Sequence, residues 1–202
     1  AEGWTFATDF PGATGDRLYA LPFLRNLYTR ADPQMNGRVT VPVLWDRERS
    51  TIVSNESSEI IRMFNSAFDG LTGNDRDFWP ESLRGEIEAV NARVYGTVNN
   101  GVYKAGFATA QAPYDAAVTA LFETLDWLDH RLSRQRYLVD DRQTEADWRL
   151  FTTLVRFDSV YHLHFKCNRR RIIDYPNLWA YTRDLYQEPG VAATVRMDHI
   201  VR

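Results

Sequence analysis

The chain has 202 residues, of which 25% are charged and 44% are hydrophobic, and its formal net charge is −3. This balance is typical of a folded globular protein and excludes a disordered chain, while the weak negative charge argues against a general nucleic-acid binder. No apolar stretch reaches the roughly 20 residues of a membrane span. The single cysteine excludes internal disulfide bonds and a multi-cysteine zinc site. We therefore expect a cytoplasmic protein without nucleic-acid or membrane partners.

The N-terminal part of the chain combines helical and strand patterns. Leucines at spacings of three and four predict an amphipathic helix over residues 18–30. Runs rich in β-branched residues over 39–45 and 51–53 predict a hairpin, and the polar residues 54–57 precede a second helix that carries Ile60. Because a two-stranded sheet is marginal by itself, we expect the neighbouring strands to lie upstream of this chain, with strands supplied by another chain as the alternative.

From about residue 80 onward the hydrophobic period is helical throughout. We predict an α/β domain over 1–70, a polar linker over 71–80 and an all-helical domain over 81–202. Thr144 and Asp147 have the spacing of a capping box at the start of one of its helices. The five predicted helices are one from Leu83 that ends at Asn99-Asn100-Gly101, those over 114–132 and 144–165, and those that begin at Pro176 and Pro189.

Two short features of the α/β part point to a peptide-like ligand. Pro42 lies inside a predicted strand: a cis Val41–Pro42 bond would turn the Val41 backbone outward, and an ordinary trans proline on an edge strand is the alternative. Glu56 and Ser57 stand at a helix start, where amides and a hydroxyl can hold a carboxylate, with plain capping as the alternative. Together, the strand proline and the Glu-Ser pair resemble the features with which thioredoxin-like domains hold glutathione.

Several longer motifs carry a family resemblance over essentially the whole chain. They are Gly3-Trp4-Thr5-Phe6, Phe10–Asp16, Gly37–Asp46, Ser54–Ser57, Asn99–Ala108, Thr144–Asp147, Thr152–Asp158, Val160-Tyr161 and His164–Cys167. With these motifs the chain resembles the glutathionyl-hydroquinone reductases, the Xi class of glutathione transferases.

The resemblance implies a partial thioredoxin-like domain that lacks its first strand–helix unit, followed by a helical bundle of the glutathione-transferase type. It also implies reduction of glutathionyl-hydroquinones to hydroquinones, in which a cysteine attacks the glutathionyl sulfur and glutathione then resolves the mixed disulfide. Glutathione is thus a co-substrate, no metal is implied, and the family usually forms homodimers. The resemblance assigns glutathione binding to Trp4, Arg38, Val41, Glu56 and Ser57, and contact with the quinol oxygens to the phenols of Tyr103 and Tyr161.

The chain departs from the family pattern at both ends. The family's nucleophile lies in a Cys-Pro-Trp-Ala-His-Arg motif upstream of the position of Gly3, and a further active-site tyrosine lies in a tail beyond the position of Ile200. We therefore expect this chain to be the central part of such an enzyme and to be inactive by itself. The alternatives are a non-catalytic scaffold that binds glutathione or a partner chain, and a conventional transferase that activates the glutathione thiol with Ser or Tyr.

The remaining candidate residues are expected to be structural. Cys167 lies among basic residues over 166–171, which would lower the pKa of an exposed thiol, but its place in the helical half argues against catalysis. The basic residues themselves are predicted to form a solvated or ion-paired face. Asp158 and His162 are four residues apart but lack a third metal ligand, and Gly12–Gly15 lacks the Lys-Ser/Thr of a phosphate-binding loop and predicts a turn.

Overall fold

A computed structural model describes residues 3–9 and 11–201, so Phe10, the first residue of one motif above, lies outside the described residues. The chain divides into two compact units, Ala1–Asp75 and Arg76–Arg202. Each unit has a hydrophobic core of its own. Within the described ranges, no helix is both long enough and apolar enough to cross a membrane.

The first unit is a small α/β structure. Its elements are α1 (Leu24–Ala31), β1 (Leu44–Asp46), β2 (Thr51–Ser54), α2 (Ser57–Ser66) and the short α3 (Asp69–Thr72). The two strands are antiparallel, with Leu44 opposite Ser54 and Asp46 opposite Thr51, which confirms the predicted hairpin. Residues near the N-terminus join the unit through an isolated bridge between Thr5 and Phe23.

Helix α1 supplies the core of the first unit. Its buried residues Leu24, Leu27 and Tyr28 pack against partly buried side chains that include those of the hairpin. The helix predicted over 18–30 begins only at Leu24, because the Asp16 carboxylate accepts hydrogen bonds from three amides within residues 18–21 and holds that stretch in a turn. The strand predicted over 39–45 is likewise shorter and is confined to β1.

The second unit is all-helical and holds the larger core. Its α-helices are α4 (Arg84–Val94), α5 (Gly101–Gly106), α6 (Gln111–Leu132), α7 (Glu145–Arg156), α8 (Pro176–Tyr186), α9 (Val191–Thr194) and α10 (Met197–Ile200). Short 3₁₀ segments cover Glu81–Leu83 and Ile172–Asp174. Helix α6 buries an apolar stripe that includes Leu121, Leu125 and Leu128. The helix predicted over 114–132 is thus confirmed and begins three residues earlier.

The predicted capping box at the start of α7 is confirmed and extends further than its own helix. The Asp147 carboxylate accepts hydrogen bonds from the Thr144 amide at 2.8 Å and from the Thr144 hydroxyl at 3.0 Å. It also accepts the Leu138 amide and the Tyr181 hydroxyl, each at 2.8 Å. Because Asp147 is fully buried, this one carboxylate ties the loop before α7 and helix α8 to the α7 N-terminus.

Two π-turns interrupt the predicted helical periods. The first π-turn (Tyr95–Asn99) continues α4 toward α5, so the helix end predicted at Asn99-Asn100-Gly101 is wrong: Asn100 keeps a right-handed helical backbone, and α5 begins at the next residue. The second π-turn (Phe157–Tyr161) follows α7, which stops at Arg156 and does not run as a regular helix through Phe165. Each π-turn encloses one more residue than an α-turn and rotates the residues that follow it.

Candidate functional site

The five residues assigned to glutathione binding all lie in the first unit, and all are exposed. Trp4 is 56% exposed and Val41 is 50% exposed, although residues of these apolar types are usually buried. The side chains of Arg38, Glu56 and Ser57 are exposed as well. The first unit therefore presents an indole, a cation, a carboxylate and a hydroxyl that a ligand can reach.

The backbone near two of these residues offers hydrogen-bonding groups. The Val41–Pro42 peptide bond is cis, and among the described residues neither the N–H nor the C=O of Val41 takes part in a hydrogen bond. At the start of α2, the Glu56 amide donates to the Ser54 hydroxyl at 3.1 Å, while the Ser57 amide has no partner in the described part of the chain. Backbone N–H and C=O groups without partners can form hydrogen bonds with the backbone and the carboxylates of a bound peptide.

A partly buried hydrogen-bond network links these two segments. The Tyr28 hydroxyl, on α1, donates to the carbonyl oxygen of Thr40 at 2.9 Å. The Asn55 side-chain amide donates to the Thr40 hydroxyl at 3.0 Å and to the Tyr28 hydroxyl at 3.2 Å. Thr40 directly precedes Val41 and Asn55 directly precedes Glu56, so the network fixes the backbone on which both candidate ligand contacts depend.

The sequence patterns do not predict a role for Tyr28, Thr40 and Asn55 in this network. One signal was present: Tyr28 places a phenol on the apolar face of an amphipathic helix, and a buried phenol needs a hydrogen-bond partner. The partners themselves lie 12 and 27 residues away along the chain. No local pattern of spacing connects residues at such distances.

In the second unit the structure brings Tyr103 and Tyr161 together. Their hydroxyl oxygens are 3.2 Å apart, and their rings meet edge to face with centroids 5.7 Å apart. Tyr103 lies on α5 and is 44% exposed, whereas Tyr161 ends the second π-turn and is buried. Burial, followed by the hydrogen bond with Tyr103, raises the pKa of Tyr161 well above its ordinary value. The pair therefore combines a neutral buried phenol with an accessible one.

An apolar cavity of about 780 Å³ adjoins Tyr103 within the second unit. Phe107 lines it beside Tyr103, and small residues of α5 and α6 form much of the remaining wall. Phe165 contacts the rings of both tyrosines, with a centroid distance of 5.4 Å to each. These surroundings are chemically suited to a flat aromatic molecule with polar groups at its edge.

The other candidates have structural partners. Cys167 is fully buried, and burial raises the pKa of its thiol to about 12, which makes it a poor nucleophile. Asp158 accepts the amides of Ile172 and Ile173, and the described residues contain no group of three or more metal-ligating side chains. Two residues of the basic cluster form ion pairs, Arg170 with Asp126 and Arg171 with Asp174, and Arg169 donates to the Thr119 hydroxyl.

Comparison with known proteins places these observations in a family. Residues 111–184 match the family model described as "Glutathione S-transferase, C-terminal domain". The chain is 59% identical to the glutathionyl-hydroquinone reductase YqjG of Escherichia coli over 98% of this chain and 60% of that protein. It is 52% identical to the glutathionyl-hydroquinone reductase PcpF of Sphingobium chlorophenolicum over 98% of this chain and 63% of that protein.

Solved structures agree with this similarity. The glutathione-bound structure of YqjG from E. coli K-12 superposes with a TM-score of 0.97 at 59% identity, over 98% of this chain and 65% of that chain. The glutathione transferase Xi 1 of Trametes versicolor superposes with a TM-score of 0.95 at 53% identity, over 99% of this chain and 71% of that chain. The chain belongs to the Xi class of glutathione transferases. This Xi-class chain spans about three fifths of the length of the two curated reductases named above.

Proposed function

We propose that this Xi-class protein reduces glutathionyl-hydroquinones to hydroquinones at the expense of glutathione. The observation that carries the proposal is the Tyr103–Tyr161 pair in a chain that is 59% identical to a glutathionyl-hydroquinone reductase. Tyr103 lines an apolar cavity and lies 3.2 Å from the Tyr161 hydroxyl, so its own hydroxyl can donate to or accept from an oxygen of a hydroquinone ring. An aryl halide, the substrate of conventional glutathione conjugation, has no hydroquinone oxygens for a phenol to bind.

In this proposal, glutathione is bound by the exposed residues of the first unit. The Glu56 carboxylate pairs with the ammonium group of the γ-glutamyl residue, and the Ser57 hydroxyl and amide hold its carboxylate. The Val41 backbone pairs with the cysteinyl residue as one strand pairs with another. The Arg38 guanidinium and the Trp4 indole offer a cation and an N–H donor to the remaining polar groups of the peptide.

The reaction that we propose has two thiol steps. A cysteine thiolate attacks the sulfur of the glutathionyl-hydroquinone, the bond between that sulfur and the ring carbon breaks, and the ring carbon takes up a proton. Glutathione then attacks the resulting mixed disulfide, which releases glutathione disulfide and restores the thiolate. Because Cys167 is buried and the pKa of its thiol is raised to about 12, we assign the nucleophile to a cysteine outside these 202 residues.

The test is an assay of the full-length gene product with a glutathionyl-hydroquinone and glutathione. We expect one hydroquinone and one glutathione disulfide for each substrate consumed, and no reaction with 1-chloro-2,4-dinitrobenzene. Conjugation of the aryl halide without hydroquinone release would indicate a conventional transferase. Glutathione binding without either reaction would indicate a binding protein or scaffold, and both results would overturn the proposal.

The glutathione site is tested by replacing Glu56 with alanine. Glu56→Ala should weaken glutathione binding about 10- to 100-fold, because it removes a charge-assisted contact that is worth roughly 1.4–2.7 kcal/mol. Isothermal titration calorimetry of the full-length gene product measures the change. The matched control is Glu48→Ala, which removes an exposed acidic side chain from the hairpin turn of the same unit and should leave the affinity unchanged. Equal affinities for wild type and Glu56→Ala would contradict the assignment.

We also propose that the protein is a cytoplasmic homodimer. Light scattering during size-exclusion chromatography distinguishes a dimer from a monomer without reference to activity.

A further inference from the structure

We infer that Gly106 and Phe165 are positioning residues that hold the Tyr103–Tyr161 pair in its working geometry. The inference rests on the proposed role of the two tyrosines. It concerns how their geometry is maintained, which neither the similarity to reductases nor the tyrosine pair itself explains.

Gly106, the last residue of α5, leaves room for one aromatic ring. A Cβ atom at this position would lie 2.4 Å from Cγ, 2.6 Å from Cδ2 and 2.9 Å from Cβ of Phe165. All three distances are far shorter than a normal carbon–carbon contact of about 3.5–4.0 Å. The ring of Phe165 therefore packs directly on the α5 backbone, in a space that any other residue at position 106 would fill.

From this place Phe165 contacts both tyrosines. Its ring centroid lies 5.4 Å from that of Tyr103 and 5.4 Å from that of Tyr161, with Phe107 at the same distance. Tyr103 is three residues before Gly106 on α5, and Tyr161 is four residues before Phe165. The Gly106–Phe165 contact thus joins the two segments that carry the phenols and sets the distance between them.

The backbone directly after Phe165 is held by two hydrogen bonds, so it cannot easily shift to accept a larger residue at 106. The Cys167 amide donates to the Tyr161 carbonyl oxygen at 3.0 Å, and the Tyr114 hydroxyl donates to the Lys166 carbonyl oxygen at 2.6 Å. Lys166 has a φ of 59°, a left-handed conformation that is uncommon for lysine. A methyl group at 106 must therefore displace the Phe165 ring itself and the two phenols that pack against it.

The first experiment replaces Gly106 with alanine in the full-length gene product. We expect kcat for glutathionyl-hydroquinone reduction to fall about 10-fold or more, as for other small displacements of positioned groups, with little change in the KM for glutathione. The control is Gly85→Ala on α4, where an added Cβ meets nothing within 4 Å. Alanine there should leave activity intact and stabilise the helix slightly.

A second readout does not depend on activity. With ¹³Cζ-labelled tyrosine, the NMR signals of Tyr103 and Tyr161 can be assigned from the single Tyr→Phe variants. Both signals should shift in Gly106→Ala and stay in place in Gly85→Ala. If the wild-type protein does not reduce glutathionyl-hydroquinones, the proposed function fails, yet the NMR comparison still shows whether Gly106 controls the tyrosine geometry. Unchanged tyrosine signals in Gly106→Ala would overturn the inference.

A double substitution separates the contact from a general loss of folding. If Gly106 acts by leaving room for Phe165, the cost of Gly106→Ala should largely disappear in a Phe165→Ala background, where the obstructing ring is gone. Additive losses in kcat would mean that the two residues act independently and would overturn the positioning role. Thermal unfolding of the wild type, the two single variants and the double variant identifies any variant that loses activity because it unfolds.

Discussion

Replacement of Asp147 by alanine is expected to lower the free energy of unfolding of the second unit by about 3–5 kcal/mol. The carboxylate accepts four hydrogen bonds: two from Thr144 and one each from Leu138 and Tyr181. Alanine would leave the two backbone amides and the two hydroxyls without an acceptor in a region where Asp147 is fully buried. It also removes the N-terminal cap of α7, which is worth about 1 kcal/mol by itself.

Chemical denaturation followed by circular dichroism measures this loss. The matched control is Asp184→Ala on α8, where the carboxylate makes a two-point ion pair with Arg136 at 2.9 and 3.0 Å near the surface. Such exposed pairs contribute about 0–1 kcal/mol. A similar, small loss in both variants would mean that the buried network does not hold the α7 and α8 helices together.

Replacement of Tyr103 by phenylalanine is expected to lower kcat for glutathionyl-hydroquinone reduction about 100-fold, the lower end of what a positioned proton donor contributes. The change removes one hydroxyl, which lies 3.2 Å from that of Tyr161, and keeps the ring that packs on Phe107 and Phe165. Affinity for glutathione should not change, because the candidate glutathione residues lie in the first unit. Steady-state kinetics and glutathione titration of the same sample separate the two quantities.

The control for this experiment is Tyr186→Phe, which removes the hydroxyl of a tyrosine that is 38% exposed at the end of α8. The pH dependence gives a further check. Since burial and its hydrogen bond with Tyr103 raise the pKa of Tyr161, that phenol stays protonated through the neutral range, and its ionisation should not shape the rate between pH 6 and 9. A wild-type rate in Tyr103→Phe would remove the phenol pair from the mechanism.

Much of the fold follows from local patterns in the sequence. Runs rich in β-branched residues predict the hairpin, the apolar stripe with Leu121 and Leu125 predicts α6, and the Thr144–Asp147 spacing predicts the start of α7. These signals succeed because they involve residues that are neighbours along one strand or one helical turn. The exposed Glu56-Ser57 start of α2 was recognised for the same reason.

Predictions failed where the backbone departs from a regular period. A 3.6-residue period continued past Arg156 and suggested a helix up to Phe165, but the second π-turn inserts an additional residue before Tyr161. Asn99-Asn100-Gly101 looked like a helix end, yet the Asn99 side chain donates to the Arg149 carbonyl oxygen and the Thr153 hydroxyl on α7. These two partners lie 50 and 54 residues away along the chain, so no local sequence pattern predicts them.

In the candidate site, too, single residues were predictable from the sequence, whereas contacts between distant segments were not. Individual residues such as Tyr103 and Glu56 could be selected from the sequence through a family resemblance, but not the contacts that hold them. The Tyr28–Thr40–Asn55 network and the space at Gly106 depend on how distant segments pack. Packing between distant segments arises only in the folded chain, so residue spacing in the sequence does not predict it.

The Tyr28 hydroxyl has a consequence for the motions of the first unit. A fluctuation that opens α1 withdraws this hydroxyl from Thr40 and Asn55 together, so the segments before Val41 and Glu56 lose their support in one event. We therefore expect α1 and the segments that contain Thr40 and Asn55 to open cooperatively, as one region. A ligand that binds Val41 and Glu56 only in the closed form would lower the population of molecules with α1 open, although it does not touch that helix, because it favours the closed form by mass action.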